Sequence, residues 1–236
     1  MTDFSYIDRN VESVRRRIRA AAEAVGRREE DITLLAAVKY ATSEEIAHLY
    51  DCGIRVIGEN RVQQLCEHAQ SEDYNKFKVH FIGSLQTNKV KYIAGKVGMI
   101  ESLDSLRLAA EIDKQSAKAK TVSDVLCEIN IGREENKSGI LEEHVPEFCA
   151  KLAEFKNLRL CGFMTMAPAA CDSNEYRKYF AQTYRIAIDI WSKNIDNISG
   201  NTLKKPLISM GMSGSFEEAV LEGADVVRVG RGLFQK

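Results

Sequence analysis

Eight short apolar, β-branched runs recur along the chain with helical stretches between them, and this alternation constrains the fold more than any other feature. The runs cover residues 32–38, 54–57, 77–82, 97–100, 125–131, 158–164, 206–209 and 226–229. Strand and helix signals in strict alternation point to a parallel sheet with crossover helices. Buried parallel strands carry continuous apolar runs, and Leu34-Leu35-Ala36-Ala37-Val38 is one. Helical spacing fills residues 43–52, closed by Gly53 as a C-terminal cap, and residues 141–155. Ahead of the first run, Val11, Val14, Ile18, Ala21 and Val25 make one apolar stripe on a helix, with the neighbouring arginines on its wet face. These signals predict an α/β chain: a single (β/α)₈ TIM barrel over residues 1–236, with residues 1–30 forming an added N-terminal helix packed on it. An open doubly wound sheet is the alternative.

Composition removes several function classes. With 33 Lys+Arg against 34 Asp+Glu, the formal charge of −1 gives no global field for nucleic acid or an anionic membrane. The six cysteines form no C-x-x-C pair and none sits with a histidine at zinc spacing, so no metal is expected and the thiols are expected to be reduced. No apolar run approaches a membrane span, and the first ten residues lack a signal peptide's apolar stretch, so the expected location is the cytoplasm.

Barrel chemistry sits where strands end and the following loops begin. The first strand runs into Lys39, where lost hydration would favour an imine-forming amine, although at this point a lysine that snorkels to solvent is the commoner reading. The eighth strand carries Arg228 inside an apolar run, which demands an acceptor or a salt bridge to another strand. After the seventh strand, residues 209–218 hold glycines that let backbone N–H groups approach a ligand, and Ser215 with Glu218 predicts a capping box. With Gly230-Arg231-Gly232 after strand eight, this is where barrels commonly bind phosphate; a tight turn with a capped helix is the bland reading. Gly58-Glu59-Asn60 and His80-Phe81-Ile82-Gly83-Ser84 add polar groups at the rim, and Met164-Thr165-Met166 could wall a planar ring. A lysine, a phosphate cradle and a buried arginine at one mouth suit a phosphorylated carbonyl compound, either a sugar phosphate in an aldolase or pyridoxal 5′-phosphate (PLP).

The same residues resemble the pyridoxal phosphate homeostasis protein family. The resemblance runs from about Leu34 to Phe234 through Ala37-Val38-Lys39, Gly58-Glu59-Asn60-Arg61-Val62-Gln63, His80-Phe81-Ile82-Gly83, Leu85-Gln86-Thr87-Asn88-Lys89, Asn136-Lys137-Ser138-Gly139, Gly162-Phe163-Met164-Thr165-Met166-Ala167-Pro168 and Ser209-Met210-Gly211-Met212-Ser213. It implies an alanine racemase-like barrel holding PLP on Lys39 as an aldimine (Schiff base), with the pyridine nitrogen facing Arg228. Ser209, Ser213 and the backbone at Gly230 and Arg231 would hold the phosphate, while Asn60, Met166 and Met210 would line the ring pocket. The implied role is vitamin B6 homeostasis with no robust turnover, apo forms of PLP-dependent enzymes as acceptors, and a monomer or weak dimer. A racemase-type PLP enzyme acting on small amino acids is the alternative. Against that alternative, racemases resembling this barrel carry a C-terminal β-domain supplying a second base, and this sequence ends at Lys236. A regulatory interaction protein is a third reading.

The chain departs from the family where Val38, Ser84 and Arg231-Gly232 stand in place of the usual Ser, His and Thr-Ala, and in Tyr40-Ala41-Thr42. Arg231 is expected to replace a lost hydroxyl donor with charge. Lys89, Lys91 and Lys137 lie in matching blocks and are expected to be solvated helix lysines, a second PLP site or transfer route being the other reading.

Overall fold

The computed structural model describes residues 3–169, 171–194 and 203–236. Eight parallel strands close into a barrel in chain order: β1 (Thr33–Ala37), β2 (Val56–Glu59), β3 (Lys78–Phe81), β4 (Met99–Leu103), β5 (Ser123–Ile129), β6 (Leu158–Thr165), β7 (Leu207–Met212) and β8 (Val226–Val229). All eight predicted runs are strands, and closure through β1 and β8 excludes the open sheet. Around them lie α2 (Ser43–Asp51), α3 (Val62–His68), α4 (Leu106–Lys118), α5 (Val145–Leu152), α6 (Ser173–Asn194), α7 (Phe216–Leu221) and the short α8 (Arg231–Phe234), with a 3₁₀ helix at Thr87–Tyr92 between β3 and β4. The stretch predicted as one helix over 141–155 divides into a 3₁₀ turn (Glu142–His144) and α5, whose first turn contains Pro146.

The N-terminal helix, α1 (Ser5–Glu23), buries Ile7, Val11, Val14, Ile18 and Ala22 against α7 and α8. Arg17 ties it to Glu217 and stacks 4.5 Å from the Phe216 ring centroid, while Arg27 reaches Asp225. Val25 departs from the predicted stripe: it lies beyond the end of the helix and is exposed.

Alternation along each strand sends one set of side chains to the helices and the other into the barrel. Leu34 and Ala36 join the large outer core, whereas Leu35 packs with Ile82 and Val226 inside. Irregularities in β6 and β7 then set the upper layers. Leu160 pairs with Val125 and Gly162 with Leu126, so β6 has one extra residue at Cys161. That bulge changes the phase of alternation, and Met164 and Met166 join Cys161 in one interior cluster. Only glycine fits at 162, because a Cβ would stand 1.9 Å from the Leu207 carbonyl oxygen. In β7 a second irregularity falls between Ser209 and Met212 at Gly211, which has φ +88°.

Candidate cofactor site

The C-terminal mouth holds a cavity of about 460 Å³ walled by Lys39, Asn60, Met166, Ser213, Arg228, Gly230 and Arg231, with Ala37, Ile82, Lys137, Pro168, Tyr176 and Met212 among the other residues lining it. Its size suits a small molecule. A larger cavity, about 680 Å³, opens at the opposite end near Thr33, Lys78 and Asp124. Barrel chemistry belongs to the C-terminal face, where the convergent groups are.

Lys39 stands two residues beyond β1 in a turn closed by Ala41 N–H donating to the Val38 carbonyl at 2.9 Å. The Gln64 amide donates to the Lys39 carbonyl at 2.9 Å, which fixes the backbone beneath the side chain. Lys39 is half-buried, with its ammonium 5.0 Å from the Tyr40 ring centroid.

Arg228 forms part of the floor and finds neutral acceptors: it donates to Ser209 Oγ at 2.7 Å and to the Thr165 carbonyl at 2.8 Å. Ser209 Oγ in turn donates to Glu101 Oε2 at 2.6 Å, and Glu101 Oε1 meets His80 Nδ1 at 2.6 Å. Burial pushes the Arg228 guanidinium below its ordinary pKa, while Glu101 and Glu128 act the other way. For Glu101, burial works against the charge, yet His80, Arg228 and Ser209 together hold its carboxyl below the usual carboxylate range. Burial raises Glu128, although the Ser138 hydroxyl donates to it at 2.8 Å. The site therefore rests on a buried, internally compensated layer of charge.

The end of the cavity expected to take a phosphate is built from backbone. N–H groups of Gly230 and Gly232 converge on Ser213 Oγ, at 3.3 and 3.5 Å, and Arg231 is exposed at the same wall. The predicted Ser215–Glu218 capping box is not formed: Ser215 Oγ instead accepts from Met212 N–H at 3.2 Å, bracing the loop that presents Ser213. Asn60 Oδ1 is buried without a partner, an acceptor open to a donor on a ligand or water.

Seven of the nine residues expected at the site share this cavity; Ser209 and Met210 do not. Ser209 is fully buried below the floor between Arg228 and Glu101, with its hydroxyl engaged on both sides. Met210, its neighbour in β7, faces outward into the core beneath the helices. Lys137 lines the cavity, its ammonium 2.6 Å from Glu134, whereas Lys89 and Lys91 lie beside the Tyr92 ring on the 3₁₀ helix. Sequence reasoning missed Glu101, although its signal resembles that of Arg228: a charge inside the apolar stretch Met99-Ile100-Glu101-Ser102-Leu103. Tyr176 reaches the wall from the start of α6, which no local pattern announces.

A closed parallel barrel with an amine, a buried guanidinium and converging backbone N–H groups at one mouth has the parts that a binder of phosphorylated carbonyl compounds needs. Comparison narrows the class. Residues 8–235 match the family model described as the alanine racemase N-terminal domain. A pyridoxal phosphate homeostasis protein of Aquifex aeolicus is 40% identical over 218 residues, 92% of either chain. An unknown protein from Bifidobacterium adolescentis superposes with a TM-score of 0.90 at 30% identity, covering 99% of this chain and 98% of that one. PipY of Synechococcus elongatus PCC7942 with PLP bound gives 0.79 at 26% identity, over 92% and 98%. The chain thus belongs to the alanine racemase N-terminal-domain family and, within it, to the pyridoxal phosphate homeostasis proteins.

Proposed function

We propose that the chain binds PLP in its C-terminal mouth and serves vitamin B6 homeostasis by holding the cofactor and giving it up to apo-enzymes. The observation that carries this reading is the placement of Lys39, Arg228 and the Gly230–Ser213–Gly232 cradle around one cavity. The residues fit the group: an anion cradle with a cation beside it for the phosphate, the Lys39 amine for the aldehyde, and an unpartnered Asn60 Oδ1 within the wall. PLP supplies an aldehyde that links reversibly to amines and a ring that draws electrons. Ser213 and the N–H groups of Gly230 and Gly232 would hold its phosphate, and Met166 and Ile82 would shield the ring from water. Arg228 would hold a guanidinium beside the ring nitrogen, which would oppose protonation there and weaken the ring as an electron sink. This favours a carrier over a robust enzyme.

Tyr176 and Lys137 bring further protic groups to the wall, the one observation favouring slow turnover of small amino acids. Loss of the α-deuteron from labelled alanine faster than with free PLP would support it. The proposal also places the protein in the cytoplasm as a monomer or weak dimer. Its six unpaired cysteines support the location, and no helix among the described residues is long and apolar enough to cross a membrane.

The test is the near-ultraviolet and visible absorbance of purified protein loaded with PLP, before and after borohydride, beside Lys39→Ala. A band that borohydride abolishes in the parent and that the variant lacks is expected. A parent that takes up no PLP, or a variant with the same band, overturns the reading.

A further inference from the structure

Away from the cavity, α1 and α2 bring three unlike donor atoms to one point. His48 and Cys52 are four residues apart, one on α2 and one at its C-terminal cap, and so share a helix face, a pairing at ligand spacing that the expectation of no cysteine–histidine pair overlooked. Asp8 meets them from the first turn of α1. One carboxylate oxygen, Asp8 Oδ1, lies 2.8 Å from His48 Nε2 and 3.2 Å from Cys52 Sγ, and the three atoms all fall within 4.8 Å of one another. Among the described residues this is the one such group of three, and none of its members lines the cofactor cavity.

We propose that Asp8, His48 and Cys52 form a site for a zinc-class divalent cation that ties α1 to α2. The hydrogen-bonded hub is the protonated form of a three-ligand site, because the atoms that converge through protons are the ones zinc uses: a carboxylate oxygen, an imidazole nitrogen and a sulfur. Tetrahedral ligand bonds of about 2.0–2.3 Å put neighbouring donors roughly 3.3–3.6 Å apart, so Asp8 Oδ1 must draw back by about half an ångström from His48 Nε2 and by a few tenths from Cys52 Sγ. Thiolate and imidazole select a borderline-soft ion over magnesium or calcium. The Phe4 ring, stacked 5.1 Å from that of His48, holds the imidazole edge toward Asp8. Asp8 is exposed, so solvent supplies the fourth position.

The balance is simple. Zinc forms a bond to Cys52 Sγ as the S–H bond breaks and the proton leaves to solvent. In the metal-free form His48 Nε2 carries the proton it donates to Asp8 Oδ1; on binding, that proton is exchanged through solvent to Nδ1, so the neutral imidazole bonds zinc through Nε2, one proton in all is released and no electron is transferred. Two anionic ligands then neutralise the dication.

Equilibrium dialysis of the full chain against zinc chloride, with metal analysis, tests the site, and cobalt(II) reports sulfur ligation through a near-ultraviolet charge-transfer band. The expected results are one saturable zinc per chain, a cobalt–thiolate band, and loss of both in Cys52→Ser and His48→Ala, with Cys66→Ser behaving as the parent. Asp8→Asn, at an exposed position, should weaken uptake without changing the far-ultraviolet circular dichroism, which separates ligand loss from misfolding. Absence of saturable uptake, uptake that persists in Cys52→Ser, or loss in Cys66→Ser overturns the proposal.

Discussion

Arg228 and Glu101 face each other across the barrel with Ser209 between them, the guanidinium donating to Ser209 Oγ at 2.7 Å and that hydroxyl donating to the carboxylate at 2.6 Å. One small hydroxyl thus relays compensation between two fully desolvated charges from β8 and β4. Removing one partner of such a set leaves a buried charge uncompensated. Glu101→Leu should destabilise the fold by about 3–5 kcal/mol, and Arg228→Leu by a similar amount. The double variant should lose clearly less than the sum, since neither charge is then stranded. Urea denaturation of all four proteins measures this, and additive losses would show that the two charges are not coupled.

The carboxyls of this layer titrate in opposite senses. Glu101 is held below its ordinary value, so its stabilising contribution is complete above the unfolded pKa of about 4.3 and is lost as pH falls through its lower folded value. Glu128 is raised by burial, so its charged form opposes folding above its folded pKa, and that penalty vanishes below the unfolded one. Glu128→Gln should therefore stabilise the chain at pH 7 and converge on the parent near pH 4. Glu101→Gln should be destabilised at pH 7 and draw closer to the parent as the solution becomes more acid. Denaturation midpoints across that range decide both signs.

At the end of the cavity proposed to hold the phosphate, Arg231 stands exposed beside backbone N–H groups that converge on Ser213 Oγ. Its charge should add to PLP affinity through a solvent-screened contact, so Arg231→Ala should weaken binding about two- to fivefold, up to about 1 kcal/mol. The loss should shrink at high salt, where screening has already removed part of the attraction. PLP titrations by fluorescence at low and high ionic strength measure both effects. An affinity equal to the parent's at low salt would place Arg231 outside the phosphate contacts.

How much of this was legible follows from what each residue depends on. The strands could be seen because a barrel buries both faces of its sheet and leaves continuous apolar runs. Lys39, Arg228 and Gly230 could be placed because they stand at or beside strand ends. Ser209 and Met210 could not, because their directions depend on the phase of β7 within the barrel, and Ser209 lies one layer below the cavity. Ser215 carries a capping-box pattern, yet its hydroxyl serves the loop behind it, a choice made by the turn at Gly211 rather than by local propensity. Glu101 could have been found by asking of β4 what was asked of β8.

Met166 reaches the cavity only because β6 gains a residue, and that irregularity depends on Gly162. A Cβ at 162 would stand 1.9 Å from the Leu207 carbonyl oxygen and 2.5 Å from its amide nitrogen, so any side chain there must push β7 away from β6. The two strands pair at this point, Gly162 with Leu207, so the displacement would break ladder hydrogen bonds and disturb the layer holding Ser209. Gly162→Ala should destabilise the chain by about 3 kcal/mol or more, well beyond an ordinary surface substitution. For a chain of this size that lowers the melting temperature by roughly 6–12 °C. PLP affinity should fall with it, because Ser209 supports Arg228 from the strand that moves. A thermal melt with a parallel PLP titration provides the check: an unchanged melting temperature would mean that β6 and β7 can separate at little cost, and that Met166 does not owe its position to the bulge.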